Sequence, residues 1–197
     1  MVIDYFLALS SPYTYLGHTR FEALAARYGA TVNHKPAQMA KVFAVSGGLP
    51  VKQRPVQRQA YRLQELRRWS QFLGMPLHLE PKHFPVPDGD AAKLVIAAKQ
   101  LGRPPGALIG ACLRAVWAEE RDISDAATLR AIAGEAGYDA GALVAAAAAP
   151  AVQAEYDANT AEAIRRQVFG VPTYACGEEL FWGQDRLDFV ERRLKQG

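Results

Sequence analysis

Cysteine is scarce in this chain: Cys112 and Cys176 are the only two in 197 residues. Neither has a second Cys or His at a metal-ligand spacing, so a zinc site and a Cys-x-x-Cys redox pair are both excluded. Long apolar runs are missing as well. None approaches the roughly 18 residues that a membrane-spanning helix needs, and no membrane partner is expected. The first residues, Met1-Val2-Ile3-Asp4-Tyr5, lack the basic region and apolar stretch of a signal peptide, from which a cytoplasmic location is expected. A large charge of one sign is also lacking. Lys and Arg number 23 against 20 Asp and Glu, and a net charge of +3 gives no footprint for nucleic acid without a clustered patch. Small anionic ligands stay open. No fixed-period repeat is visible, and with 50% apolar residues the chain can bury a large core, so one complete domain with an insertion is expected rather than disorder.

What is present starts with strand signals. Val2 to Leu9 is apolar, β-branched or aromatic apart from Asp4, and it stops at Ser10-Ser11-Pro12 as a buried strand should. A helix follows, with Ser11 as N-cap and Pro12 as its first residue. Leu16, Phe21, Leu24 and Tyr28 lie near one face of it, and Gly29 ends it. Ala30 to Lys35 reads as a second strand, which completes a βαβ unit with parallel strands and a right-handed crossover. From Pro36 to about Arg166 strand signals nearly vanish. Amphipathic, Ala-rich stretches replace them, running from about Val56 to Leu73, Asp90 to Leu101, Pro105 to Glu119, Asp125 to Ala136 and from Gly141 onward, with Pro150 opening a helix over Ala151 to Val168. Strands return in Thr173 to Cys176 and Leu180 to Trp182, flanking a Gly177-Glu178 hairpin turn, and Gln184-Asp185 opens a last helix through Leu194. The expected fold is α/β: a thioredoxin-like domain (1–36 and 167–197) with a large all-helical insertion (37–166) between its βαβ half and its C-terminal ββα half.

Three places could carry chemistry. A thioredoxin fold puts a reactive thiolate at the turn after its first strand, where a helix N-terminus stabilises it. Here the turn reads Ser11-Pro12-Tyr13-Thr14, with no sulfur, so disulfide exchange from this position is excluded. Ser11 is then either an ordinary cap or a hydroxyl that donates to an anion brought by a ligand. The second place is Gly170-Val171-Pro172-Thr173. Thioredoxin folds carry a cis-proline there, and the residue before it leaves its backbone free to pair with an extended peptide; the alternative is a trans proline opening a strand. The third is Phe181-Trp182-Gly183-Gln184-Asp185-Arg186. Either Asp185 caps the last helix and Trp182 fills the core, or a carboxylate and helix-end amides hold the charged end of a peptide. Of the histidines, His18, His34, His78 and His83 form no recognisable constellation, and His18 is read as a satisfied core or surface residue.

Ser11-Pro12-Tyr13 with Tyr15-Leu16, Glu65-Leu66-Arg67-Arg68-Trp69, Ala115-Val116-Trp117-Ala118-Glu119, Phe169 to Thr173 and Phe181 to Arg186 occur in an order and spacing that resembles the 2-hydroxychromene-2-carboxylate isomerases. That family is related to kappa-class glutathione transferases and to disulfide-oxidoreductase A proteins, and the resemblance spans essentially the whole chain. It implies glutathione as cofactor, a small aromatic carboxylate as substrate, a homodimer, and reversible thiolate addition in aromatic catabolism. The product of 2-hydroxychromene-2-carboxylate would be trans-o-hydroxybenzylidenepyruvate. The resemblance further implies that Ser11 is catalytic and hydrogen-bonds the glutathione sulfur, with Pro12 and Tyr13 beside it. Val171, next to Pro172, would pair with the cysteinyl unit, and Gln184 and Asp185 would hold the γ-glutamyl end. A kappa-like transferase is the alternative outcome, and a non-catalytic thioredoxin-fold peptide binder a third. Members of the family show Phe-Lys-x-Thr-Gly-Asn where this chain has Phe43-Ala44-Val45-Ser46-Gly47-Gly48, so Ala44 and Gly48 replace a Lys and an Asn. Lys41, Lys52, Arg54 and Arg58 are nearby cations, open as substitutes or as a solvated face. Lys41, Arg54 and Trp182 are the expected substrate contacts.

Overall fold

Alternation along the first strand, β1 (Val2–Leu7), decides what lies on each side of the sheet. Ile3, Tyr5 and Leu7 point into the larger apolar core, while Phe6 points the other way into a smaller cluster with Ala37, Val42, Ala163, Val168 and Ala175. The computed structural model describes residues 1–196; Gly197, the last residue of the expected C-terminal segment, lies outside them. Helix α1 (Pro12–Arg27) leaves the end of β1 and buries Leu16, Phe21 and Leu24 on its sheet-facing side. The chain returns as β2 (Thr31–Pro36), parallel to β1 with Val2 opposite Thr31 and Leu7 opposite Pro36.

Seven α-helices follow before the sheet resumes: α2 (Met39–Ser46), α3 (Val56–Leu73), α4 (Gly89–Gln100), α5 (Gly106–Trp117), α6 (Ala126–Glu135), α7 (Ala140–Ala147) and α8 (Pro150–Arg165), with a 3-10 turn (Val51–Gln53) between α2 and α3. Strand β3 (Thr173–Cys176) then pairs antiparallel with β1, and β4 (Glu179–Trp182) with β3, giving the order β2-β1-β3-β4. Gly177 opens the β3–β4 turn at φ +60°, a conformation that costs glycine no steric penalty. The chain ends in α9 (Leu187–Leu194). This is the expected thioredoxin-like α/β fold with its helical block between β2 and β3.

The helical block and the sheet share one core. Tyr5, Phe21 and Tyr174 stack at its centre, and Leu66, Ile96, Leu108 and Trp117 reach it from the helices. Full burial of each such side chain contributes about 1.5–3 kcal/mol before entropy is subtracted. Three details depart from expectation. Helix α2 carries no side-chain cap and is held by the burial of Val42 against Phe6 and Ala163, a tertiary cause that local pattern does not display. The helix expected over Ala151 to Val168 stops at Arg165, because Gln167 turns to φ +60° and Val168 donates its N–H back to Ala163. Gln184 and Asp185 form a 3-10 turn (Gln184–Arg186) that precedes α9.

Candidate active site

Two consecutive serines build the turn after β1, and they face different partners. Ser10 donates its backbone N–H and its hydroxyl to Asp88 at 3.0 and 2.9 Å. Asp88 occupies the N-cap position of α4, yet its side chain makes no cap bond there because it is turned to Ser10. Burial raises its carboxyl above the ordinary range, and the two Ser10 donors pull against that shift. Ser11 caps α1: its Oγ accepts from the N–H of Thr14 at 3.2 Å, and its backbone is extended at ψ 125°. Accepting that bond leaves the hydroxyl proton free. Among the described residues neither it nor the N–H of Tyr13 is donated to a partner, so two donors are left at the positive end of a helix of 16 residues.

The β ladder brings the second expected segment to the same end of the sheet. Phe6 pairs with Thr173, so the chain leaving β1 toward Ser11 and the chain arriving at β3 through Val171-Pro172 lie side by side. The Val171–Pro172 bond is cis. Pro172 accepts from the N–H of Gly183 at 2.9 Å, and Thr173 donates its hydroxyl to Gly170 at 2.7 Å. Val171, half-buried between them, has neither its N–H nor its C=O paired among the described residues.

The third segment is locked onto α1 from the other side. Gln184 is 1% exposed and accepts from Arg20 through its side-chain oxygen at 2.8 Å. It sits so close to α1 that a Cβ on Gly17 would come within 2.9 Å of Gln184 Cβ and of Tyr174 Oη, a contact only glycine avoids. Gly183, at φ +113°, then turns Asp185 outward, where it pairs with Arg186 at 2.6 Å. The structure overturns two readings of this motif. Asp185 caps no helix, since its side chain makes no cap bond. Trp182 does not fill the core: it is 51% exposed, because it lies on an outer face of β4 with its ring 4.6 Å from that of Phe169, over the loop that leads to Val171.

Two arginines, Arg62 and Arg54, lie near Tyr13 in the first turn of α1. Burial raises the phenol of Tyr13, against the pull of Arg62 and Arg54 nearby. Arg54 donates to the carbonyl of Leu49 at 2.8 Å, whereas Lys41 turns to α8 and pairs with Asp157 at 3.0 Å in solvent. Gly48 leaves room for Phe43, whose ring lies where a Cβ would stand, so an Asn at this position would displace it. Sequence reasoning missed Ser10, Asp88 and Arg62. For Arg62 a signal existed: it falls in line with Leu66, Trp69 and Leu73 on the apolar stripe of α3, where a cation is out of place.

A concavity of about 630 Å³ opens elsewhere, beside His18, Glu22 and His34. Its histidines are satisfied within it: His34 meets Glu22 at 2.7 Å, and His18 meets the carbonyl of Gly106 at 2.8 Å, which makes His18 the structural histidine expected. Cys112 and Cys176 are free and buried. Burial pushes the Cys112 thiol up to about 12.

The fold and this site define a thioredoxin-fold protein whose active-site turn carries a hydroxyl where a redox protein carries its dithiol. The DSBA-like thioredoxin domain family matches residues 2–195. The 2-hydroxychromene-2-carboxylate isomerase of Sphingobium xenophagum is 31% identical over 98% of this chain and 97% of its own. That of Pseudomonas putida is 31% identical over 98% and 94%. A solved structure of a 2-hydroxychromene-2-carboxylate isomerase superposes with a TM-score of 0.80 at 28% identity, covering 100% of this chain and 95% of that one. A probable DsbA oxidoreductase from Streptomyces coelicolor shares the fold at TM-score 0.77 and 22% identity, over 100% and 89%. The chain belongs to the DSBA-like thioredoxin domain family and, within it, to the 2-hydroxychromene-2-carboxylate isomerases.

Proposed function

We propose that this chain is a glutathione-dependent isomerase that interconverts 2-hydroxychromene-2-carboxylate and trans-o-hydroxybenzylidenepyruvate. The observation that carries the reading is the Ser11 hydroxyl, which accepts from Thr14 and still has its proton to donate, at a helix N-terminus on the same end of the sheet as the unpaired backbone of Val171. This donor set fits a thiol on an extended peptide: a hydroxyl and an amide for the sulfur, and one N–H and one C=O for the cysteinyl unit. When bound, glutathione supplies the nucleophilic thiolate that adds reversibly to the conjugated double bond and leaves unchanged once the bond has rotated. Holding a thiol two units below its usual pKa of about 8.5 requires roughly 2.7 kcal/mol of selective stabilisation. A hydrogen bond to a charged group contributes about 1.5–3 kcal/mol and a helix N-terminus about 0.3–1 kcal/mol. These contributions bracket the requirement, and without a sulfur of their own Ser11, Tyr13 and α1 favour a ligand that brings one.

Gln184 lies against α1, fixed by Arg20, and the neighbouring Asp185 is exposed, where a carboxylate suits the ammonium of the γ-glutamyl end. The test is to incubate the purified protein with 2-hydroxychromene-2-carboxylate, with and without glutathione, and separate the products. Glutathione-dependent formation of the trans isomer at constant thiol concentration is the expected result. A stable conjugate would make the protein a transferase, and no change with either addition would leave a binding protein.

A further inference from the structure

Helix α3 has 18 residues, of which two are buried, and one of those is Arg62, at 7% exposure. A guanidinium keeps its proton at every accessible pH, so its burial puts a permanent cation inside the protein, which is costly unless an anion offsets it. No carboxylate offsets this one among the described residues. The titratable groups that act on it are the Tyr13 phenol and a second cation, Arg54. Its Nη2 is buried without a hydrogen-bond partner, and so is the indole Nε1 of Trp117, whose ring lies 5.7 Å from the Arg62 Cζ. Phe84 stacks on the same guanidinium at 5.2 Å and tilts against Trp117 at 4.9 Å. Two donors without acceptors, two cations without a counterion and two aromatic rings thus meet beside Tyr13, two positions along the chain from Ser11.

We propose that Arg62 is the receptor for the carboxylate of an aromatic substrate, with Phe84 and Trp117 holding its guanidinium in place. The inference rests on the reading of the Ser11 turn as a site for such a substrate. It differs from Lys41, which is spent on Asp157 in solvent, and from Arg54, whose Nε is spent on Leu49. A buried guanidinium with a free edge donates two parallel hydrogen bonds to a carboxylate, which an exposed lysine cannot reproduce. Neutral analogues would leave that edge unpaired and be rejected.

The experiment is a calorimetric titration of the protein, without turnover, using trans-cinnamate, trans-cinnamamide and glutathione as separate ligands. The unaltered protein should bind cinnamate at least tenfold more tightly than cinnamamide. Arg62→Met should remove that preference while leaving cinnamamide and glutathione affinities within twofold, and Arg62→Lys should restore only part of it. Unchanged cinnamate affinity in Arg62→Met would overturn the proposal, as would equal affinity of the unaltered protein for cinnamate and cinnamamide. Loss of glutathione affinity alone would move Arg62 to the glycyl carboxylate of the tripeptide and overturn it too. If Arg62→Met fails to fold, as read by a thermal melt, Arg62→Lys and the cinnamate to cinnamamide ratio of the unaltered protein decide the matter. An active isomerase in which Arg62→Met keeps its cinnamate affinity refutes this inference and leaves the proposed function. Arg62-dependent cinnamate binding without isomerisation does the reverse.

Discussion

Ser10 donates both its backbone N–H and its hydroxyl to one oxygen of Asp88, at 3.0 and 2.9 Å, across 78 positions of sequence. The pair ties the turn that presents Ser11 to the start of α4, so the site and the helical block are held in one frame. Because burial raises the Asp88 carboxyl, the fold favours its protonated form relative to the unfolded chain. Its contribution to stability is therefore greatest below about pH 4, the ordinary aspartate value, and declines as pH rises through the folded value. Asp88→Asn retains an acceptor for Ser10 but deletes the titration. Urea unfolding between pH 3.5 and 8 should show the wild type losing stability relative to Asp88→Asn as pH rises. A difference independent of pH would refute this. Asp88→Ala, which leaves both Ser10 donors without their partner, should be about 1–3 kcal/mol less stable than Asp88→Asn at any pH, since neither variant titrates there.

Ser11→Ala removes two things that separate controls can tell apart. Loss of the cap to Thr14 should lower stability by about 1 kcal/mol, within the 0.5–2 kcal/mol range of such caps. In the proposed reaction, loss of the donated proton should raise the pKa of bound glutathione by about 1–2 units, the equivalent of one hydrogen bond to a charged group. An ultraviolet thiolate titration of the complex measures the second effect and a denaturant melt the first. Ser11→Thr should recover both. A thiol pKa identical in wild type and Ser11→Ala would return Ser11 to a capping role alone.

How much of this was legible in the sequence follows from whether each feature has a local cause. Ser11, Pro12 and Gly29 bound α1 by their own backbone chemistry, and the bounds of α3 at Val56 and Leu73 follow from Pro55 and Gly74 in the same way. Helix α2 has no such punctuation at its start and exists because Val42 packs under β1, so its residues do not announce it. Within the site, the cis bond at Pro172 and the Ser11 hydroxyl follow from motif and fold. The Asp88 clamp does not, since an Asp before an apolar helix reads as a cap and only the folded chain shows it turned to Ser10. Trp182 misleads for a related reason: a tryptophan in a short strand suggests core, but β4 is an edge strand and the half-exposed ring packs on its outer side against Phe169.

The cysteines should be silent. Burial pushes the Cys112 thiol up to about 12 and raises that of Cys176, so almost no thiolate exists near neutral pH to attack a reagent. Native protein at pH 8 should take up no label from a disulfide reagent over a period in which the denatured chain takes up two equivalents, one for each cysteine. Rapid labelling of the native protein, or a disulfide after mild oxidation, would reopen a redox role that the hydroxyl at position 11 otherwise rules out.

Asp185→Asn separates binding from chemistry. Asp185 caps no helix, and its pairing with Arg186 at 2.6 Å is an exposed contact of a kind that contributes about 0–1 kcal/mol, so the melting temperature should barely move. In the proposed reaction the carboxylate meets the γ-glutamyl ammonium, far from the sulfur, and such an interaction is equally strong in the ground state and the transition state. Interactions of that kind set the apparent affinity and leave the chemical step alone. Glutathione affinity should fall at least tenfold while kcat at saturating glutathione stays within twofold of wild type, as read by calorimetry and steady-state rates on the same preparation. Wild-type affinity would remove Asp185 from the site. A parallel loss of affinity and melting temperature would mean that Asp185 acts through Gly183 and the 3-10 turn, by holding Gln184 against α1, rather than by touching the ligand.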